Sequence, residues 1–393
     1  MRHLPLTLTA PTLLLAAASL NAADENWTIT PKVYTQFRAE MNSGSNASGD
    51  DTVPSTETAA ENSDLLDFYL RRARLGASFK KDAWSGQITF NADGSQRDGS
   101  QTRSASLFDA WGAYTTKSED ITHQVKAGLY RVRFNPSEGN GSNNLMLAGA
   151  AATENLVNQR DMGVGYYFKS AMVDFNIDIG NVTADGTDGQ TENQQNPDDK
   201  AGGDGLWKSF RLQFNGHEDW KTTEWLDSYA GKPGQNYAVA IEAAHVDQRI
   251  TGADQTITSF GFDALFHHHE ISALFEYRVQ TTETEPDGGS STDVNRMVWR
   301  AQFGYAFPVE GLTGTLEPCI RVQGINLERG AGGGVFGGRD YAQNSGMQYD
   351  LGLNWYLDGH KNKLGLMITS WSSGDEDNEA DALIIRLQHQ FNF

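Results

Sequence analysis

The amino-acid sequence predicts an all-β fold, a transmembrane antiparallel β-barrel of about 16 strands with long external loops and short periplasmic turns. Three observations support this prediction. The last 12 residues alternate between apolar and polar side chains, many runs with a similar alternation follow one another along the chain, and long connectors between them alternate with short ones. Helical periodicity is scarce in the 393 residues, and nothing marks a second domain after the N-terminal leader.

The closing segment, residues 382–393, is the clearest strand. Its apolar face carries Leu383, Ile385, Leu387, His389, Phe391 and Phe393, and its polar face carries Arg386, Gln388, Gln390 and Asn392. A soluble protein would leave this strand as an unprotected sheet edge, whereas in a closed barrel the last strand pairs with the first. Alternating strands that end in Phe also resemble the signal read by the bacterial outer-membrane insertion machinery. The alternative is an edge strand of a large secreted β-sandwich.

The N-terminus has the pattern of a secretory signal peptide. Two basic residues precede an apolar run over residues 4–20, and residues 21–23 are small. We expect residues 1–23 to be a signal peptide for secretion through the inner membrane and residues 24–393 to form the outer-membrane barrel domain. This predicts localisation in the outer membrane of a Gram-negative-type bacterium.

Composition excludes several other classes of protein. The formal net charge of −20 makes nucleic acid a poor partner. No later segment has the ~18 continuous apolar residues of a membrane helix. A single cysteine, Cys319, forbids an intramolecular disulfide, and it lacks the surroundings of a catalytic nucleophile. The mean hydropathy of −0.53 does not argue against a membrane barrel, because lumen-facing residues dilute the lipid-facing ones.

The predicted strands cover 32–40, 66–79, 84–93, 107–115, 124–134, 161–168, 171–179, 206–215, 237–246, 256–266, 271–280, 295–307, 315–327, 347–357, 363–371 and 382–393. Long connectors at 41–65, 94–105, 135–159, 181–205, 282–292, 328–344 and 372–380 alternate with short ones at 81–83, 118–121, 169–170, 267–269 and 358–361. Two connectors do not fit this alternation. The segment 217–234 is too long for its periplasmic position, and 248–254 is short for an external loop.

Acidic residues crowd two long loops. They are Asp185, Asp188, Glu192, Asp198, Asp199 and Asp204 in one, and Asp375, Glu376, Asp377, Glu379 and Asp381 in or beside another. We expect a solvated outer surface, with divalent cations bridging these loops to lipopolysaccharide as the alternative. The spacing does not match an EF-hand, so no calcium site is expected.

Several segments resemble the phosphate-selective porin O and P family. They are Phe68-Tyr-Leu-Arg-Arg-Ala-Arg-Leu-Gly76, Arg160-Asp-Met-Gly-Val164, Phe275-Glu-Tyr277, Leu316-Glu-Pro318 and Gly352-Leu-Asn-Trp-Tyr356, in family order across nearly the whole chain after the leader. The resemblance implies a trimeric outer-membrane barrel of sixteen strands with inward-folded loops. It also implies an arginine-lined pore that prefers anions.

The alternation of side chains between the two faces of a strand predicts which arginines face the lumen. In the run 68–79, Tyr69, Ala73, Leu75, Ala77 and Phe79 share the apolar face, and Arg72 and Arg74 share the other. Arg71 would then face lipid, which costs about 2–4 kcal/mol at the midplane. We therefore expect Arg71 to lie near the headgroups or to be turned aside by a β-bulge.

By the same alternation, each of four further arginines lies opposite the apolar face of its strand and is expected to point into the lumen: Arg211, Arg278, Arg300 and Arg386. A column of guanidinium groups suits oxyanions, which bind bidentately. The alternative is that each arginine pairs with a lumenal carboxylate and stabilises the wall. The candidate partners are Asp174, Asp178, Glu242, Asp263 and Glu276.

The loop 135–159 matches the family position of the loop that narrows the channel. Its middle, Leu145-Met-Leu-Ala-Gly-Ala-Ala-Ala152, is apolar and predicts packing against the barrel wall. Arg131, Arg133 and Arg160 flank the loop and are the candidate constriction residues. Phosphate selectivity in the family is associated with clustered lysines, and this loop contains none. This absence of lysine from the loop favours passage of anions or small solutes in general over passage of phosphate specifically.

The sequence therefore predicts a passive, water-filled pore that prefers small anions, phosphate-like oxyanions among them, without cofactor or metal. The expected partners are small anions or other small hydrophilic solutes, outer-membrane lipid and lipopolysaccharide, and two further copies of the chain. A weakly selective or cation-preferring diffusion pore is the first alternative, and a non-conducting adhesive barrel is the second. No enzyme is expected: a lipase-type barrel lacks a nucleophile motif here, and His267-His268-His269 is interpreted as turn chemistry.

Overall fold

The computed structural model describes residues 27–44, 66–91, 106–132, 134, 136, 144–147, 160–182, 205–218, 227–229, 231, 234–250, 253–328, 346–373 and 381–393. Its strands are β1 Thr28–Gly44, β2 Leu66–Lys81, β3 Trp84–Asn91, β4 Ser106–Ser118, β5 Ile121–Arg131, β6 Arg160–Lys169, β7 Val173–Asn181, β8 Leu206–Glu218, β9 Gln235–Ile250, β10 Ala253–His268, β11 Ile271–Pro286, β12 Thr292–Tyr305, β13 Phe307–Pro308, β14 Thr315–Glu328, β15 Gly346–Asp358, β16 Asn362–Ser373 and β17 Asp381–Asn392. The predicted signal peptide and the acidic loop residues other than Asp381 lie outside these residues.

The strands form one closed antiparallel barrel. Neighbours in sequence are neighbours in the sheet, and β17 closes the ring against β1. Val33 and Phe393 exchange both backbone hydrogen bonds at this seam, at N–O distances of 2.9 and 3.0 Å. The short β13 continues β12 along β14, so the wall contains sixteen strands. The predicted barrel is confirmed, and the closing strand has the partner that its alternation requires.

The outer surface of the barrel is apolar. On β17, Leu383, Leu387 and Phe391 are exposed outward, whereas Arg386 and Gln390 on the opposite face are buried. Large exposed apolar side chains recur around the ring, among them Phe210, Phe214, Ile241, Phe262, Leu351 and Leu353. A continuous apolar band of this kind is stable only against lipid. Among the described residues, no helix is long and apolar enough to cross a membrane.

The short turns lie at one end of the barrel, as predicted. Asp82, Glu119 and His269 adopt left-handed backbone conformations, with φ of 50°, 51° and 52°. These residues complete two-residue connections that leave no room for a loop. At the other end, β9 and β10 extend to Ile250 and Ala253, which explains the short external connector. The predicted loop 282–292 was too long, because β11 continues to Pro286.

A β-bulge lies at Arg71, the residue that the strand alternation would have placed against lipid. Gln36 pairs with Arg72 while Phe37 pairs with Leu70, so Arg71 is the extra residue in β2. Of the two alternatives expected for Arg71, a position near the headgroups or a β-bulge, the structure shows the bulge. It also reverses the parity of the residues before it, and the placement of Tyr69 on the lipid face was wrong. Tyr69 pairs with Arg38 and its hydroxyl donates to Glu40 Oε2 at 2.9 Å inside the barrel.

Candidate functional site: the barrel lumen

The loop that follows β5 folds into the lumen, as predicted. Met146 and Leu147 are buried in an apolar cluster with Cys319 and Met367 of the opposite wall. Asn354 Nδ2 donates to the Met146 carbonyl at 2.6 Å, and the wall reaches this loop through further polar contacts. The apolar composition of the loop therefore reflects packing on strands β14–β16. The rest of the apolar stretch, residues 148–152, lies outside the described residues.

A second inward segment was not foreseen from the sequence. Residues Asp227–Tyr229, in the connector between β8 and β9, lie inside the periplasmic end of the barrel, where Asp227 and Ser228 are buried. The Met146 amide donates to Asp227 Oδ1 at 2.8 Å, so the two inward segments contact each other. The excess length of the connector 217–234 was the one signal in the sequence.

Several predicted lumenal arginines are buried in ion pairs. Arg211 Nη1 lies 2.7 Å from Glu242 Oε2 and also contacts Asp263. Arg300 Nε lies 2.5 Å from Glu276 Oε2, and Arg386 Nε lies 2.8 Å from Glu40 Oε2. Arg321, which the sequence reasoning omitted, pairs with Asp350 at 2.7 Å. The pairing with carboxylates considered as the alternative is the observed arrangement for these residues.

The Arg278 pair shows how the register makes such contacts possible. Gly261 of β10 lies opposite Glu242 on one side and opposite Arg278 on the other. Because glycine has no side chain, Arg278 reaches across β10 to Glu242 Oε1. A Cβ at residue 261 would lie 2.6 Å from that oxygen. Asp178, another predicted partner, instead accepts hydrogen bonds from Tyr130 and Tyr167.

A different part of the lumen keeps its cations accessible to solvent. We call it the basic wall, and it consists of Lys32, Arg72, Arg74 and Lys126 on strands β1, β2 and β5. Arg72, Arg74 and Lys126 are partly exposed, and Lys32 is exposed. Arg72 Nη1 donates to Gln36 at 2.9 Å, and Lys32 Nζ donates to Gln87 at 2.6 Å. Both of these hydrogen bonds are to neutral amide groups, which do not cancel a positive charge.

The basic wall forms a regular column along β1 and β2. Lys32 lies opposite Gly76, two residues from Arg74, and Arg74 is two residues from Arg72. At the strand rise of about 3.3 Å per residue, successive cations are about 7 Å apart along the barrel. An anion leaving one cation is therefore already within the field of the next.

Aromatic rings hold these cations against the wall. The Arg74 guanidinium lies 3.8 Å from the centre of the Phe108 ring, and Lys126 Nζ lies 4.3 and 4.2 Å from the Trp111 and Tyr130 rings. Ring faces attract cations without neutralising them. Lys32 and Lys126 were absent from the sequence-based site, although the alternation along their own strands, relative to Gln36 on β1 and Tyr130 on β5, could have identified them.

The candidate constriction residues differ from one another. Arg160 is buried, lies 3.0 Å from Asp109 through Nε, and stacks on Phe108 at 3.5 Å. Arg131 is partly buried at the end of β5 and pairs with Arg160 in the strand register. Arg133 lies outside the described residues. Within the described part of the chain, no cluster of His, Cys, Asp or Glu could hold a metal ion, and His267 contacts Ser228 and Asn236.

Comparison with known proteins supports the same architecture. No protein-family model matches the chain, and no curated sequence matches it. Solved structures do match. The anion-selective porin from Comamonas acidovorans has a TM-score of 0.57 at 10% identity, with 93% of this chain and 100% of that chain covered.

Two further structures show the same likeness. OprB of Pseudomonas putida has a TM-score of 0.55 at 9% identity, covering 96% of this chain and 97% of that one. The outer membrane channel DcaP of Acinetobacter baumannii has a TM-score of 0.53 at 11% identity, covering 94% and 99%. The chain therefore has the fold of outer-membrane porins. With its apolar outer band, this fold belongs in the outer membrane of a Gram-negative-type bacterium.

Proposed function

We propose that the protein is a passive outer-membrane channel for small hydrophilic solutes and that it prefers small anions. The observation that supports this most directly is the contrast between the two sides of the lumen. Arg211, Arg278, Arg300, Arg321 and Arg386 are buried and paired with carboxylates. The cations of the basic wall are instead exposed or partly exposed to the lumen. Selectivity depends on the charges that a solute meets, so the accessible set decides it.

The basic wall would conduct by successive weak binding. An anion about 4 Å from a cation gains about 1 kcal/mol in a water-like medium, enough to enter but not to be trapped. Spacing of about 7 Å lets neighbouring sites compete for the same ion. The mechanism needs no covalent chemistry and no cofactor, and the protein is not proposed to be an enzyme.

Of the lumenal arginines predicted from the sequence, Arg72 and Arg74 are proposed to form the main part of the anion path. Its constriction is proposed to contain Arg131, Arg133 and Arg160. Arg211, Arg278, Arg300 and Arg386 are proposed to act mainly by stabilising the wall. The loop 135–159 carries no lysine, so small anions in general are proposed, with phosphate as one of them. A related structure is described as a trimer form, and we propose that this chain is also a homotrimer in contact with lipopolysaccharide.

The test is the zero-current potential of the refolded protein in a planar bilayer under a potassium chloride gradient. We expect chloride to be more permeant than potassium, and added phosphate to reduce the chloride current. A cation-preferring potential without block by phosphate would favour the alternative, a diffusion pore governed by its acidic loops. Absence of any channel would favour the adhesive barrel.

A further inference from the structure

We propose that residues Asp227–Tyr229 form a periplasmic latch that fixes the inward loop and thereby limits the conductance of the channel. This inference rests on the proposed function as a channel but not on its ion preference. The segment belongs to a connector of 16 residues, 219–234, on the side where the other described turns have about two to six residues. It is therefore an addition to the barrel, not a requirement for joining two strands.

Two of the three residues contact the inward loop, and the third contacts the barrel wall. Asp227 accepts from the Met146 amide, and Ser228 Oγ donates to the Asn144 carbonyl at 2.9 Å. The Tyr229 amide donates to Glu317 Oε1 at 2.9 Å. The latch thus connects the inward loop to the β14 wall, across 81 to 88 residues of sequence.

The opposite side of the latch is also anchored to the wall. Gln302 Nε2 donates to the Asp227 carbonyl at 2.8 Å, and His360 Nε2 contacts the Tyr229 carbonyl at 2.9 Å. The inward loop has its own anchor, because Lys363 Nζ donates to the Leu145 carbonyl at 2.6 Å. Contacts from β12, β14, β16 and a turn therefore converge on two short segments.

The form of these contacts makes the latch separable from the barrel. Every strand of the ring is paired to its neighbours without the latch, and Asp227–Tyr229 adds no rung to the sheet. Each of the contacts described above links a side chain to a backbone group. Such a segment can leave the lumen without opening the wall, since only local hydrogen bonds break.

The position of the latch determines what its release would do. Together with Asn144–Leu147 it covers the lumenal face of β12–β16 near the periplasmic end, where Gly304, Cys319 and Met367 lie. The basic wall is on other strands and is not covered by these contacts. Removal of the latch should therefore widen the channel while leaving the cations of the path in place.

Conductance of two variants of the full-length protein tests the limiting role. Asp227→Ala removes the acceptor for the Met146 amide, and Asp227→Asn retains an acceptor oxygen of the same shape as a matched control. We expect the single-channel conductance of Asp227→Ala to rise by about twofold or to flicker to such a level, and that of Asp227→Asn to stay near the original. Equal conductance in both variants and the unchanged protein would overturn the inference.

Thiol labelling tests the docking of the latch separately from ion flow. In a Cys319→Ser background, Ser228→Cys should react slowly with a membrane-impermeant maleimide, because Ser228 is buried. Lys361→Cys, on an exposed turn at the same end, should react quickly and serves as the control. Equal rates would contradict docking. If the unchanged protein forms no channels, the proposed function fails, whereas slow labelling would still support the latch.

Discussion

The strongest stability prediction concerns Glu242, the carboxylate shared by two buried arginines. Glu242 Oε2 lies 2.7 Å from Arg211 Nη1, and Oε1 contacts Arg278. All three side chains are at most 2% exposed. Glu242→Gln keeps the volume but removes the charge, and its amide group presents N–H donors to guanidinium donors. The substitution leaves a buried cation without its nearest anion.

The expected loss of stability depends on which of the two arginines keeps a carboxylate partner after the substitution. Asp263 Oδ1 remains 2.9 Å from Arg211 Nη2, so Arg211 keeps a carboxylate. Arg278 loses its ion pair with Glu242. Breaking one buried pair by removing one partner costs about 3–5 kcal/mol, and the remaining Asp263 favours the lower end. We expect the free energy of unfolding to fall by about 3 kcal/mol.

The assay is urea unfolding of the refolded barrel in lipid vesicles, with Glu310→Gln as the control because Glu310 lies exposed on a turn. Adding Arg278→Gln to Glu242→Gln should recover part of the loss, since the pair then disappears as a unit. A loss below about 0.5 kcal/mol for Glu242→Gln would place it within the range of ordinary surface changes and refute the reasoning.

Three further predictions follow from the lumen. Arg72→Gln with Arg74→Gln should lower the chloride-to-potassium permeability ratio about fivefold, as expected when about 1 kcal/mol is lost, whereas the lipid-side Lys208→Gln should leave the ratio unchanged; an unaltered ratio in the double variant would argue against the basic wall. Gly352→Val should raise conductance, because a Cβ there would lie 2.5 Å from Leu147 Cδ2 and push the inward loop away; unchanged conductance would indicate that the loop adjusts in place. Burial raises the pKa of Asp227 despite the opposing charges of Arg300 and Lys363, so a docked carboxyl retains a proton that an undocked one releases. Docking should be weakest above the raised pKa and should strengthen as pH falls through it, so conductance should decrease as pH is lowered, and Asp227→Asn should abolish this dependence.

Much of the barrel was determined by the sequence alone. A period of two places side chains on opposite faces of a strand, so the alternation in residues 382–393 assigned the lumenal side of Arg386 and the lipid side of Leu387 correctly. Connector lengths identified the periplasmic end, and the unfavourable lipid position of Arg71 indicated the bulge. These features are local, and each can be evaluated within one strand or one turn.

The tertiary structure decided which lumenal charges remain accessible to solutes. Arg72 and Arg211 both fall on the polar face of their strands, but the residue opposite Arg72 on β1 is Gln36, whereas the residue opposite Arg211 on β9 is Glu242. The latch shows the same dependence, since Asp227 meets Met146 across 81 residues. Cross-strand register and the docking of inserted segments depend on the closure of the whole ring. Strand periodicity carries no information about them, because it specifies the face of a side chain and not its neighbour.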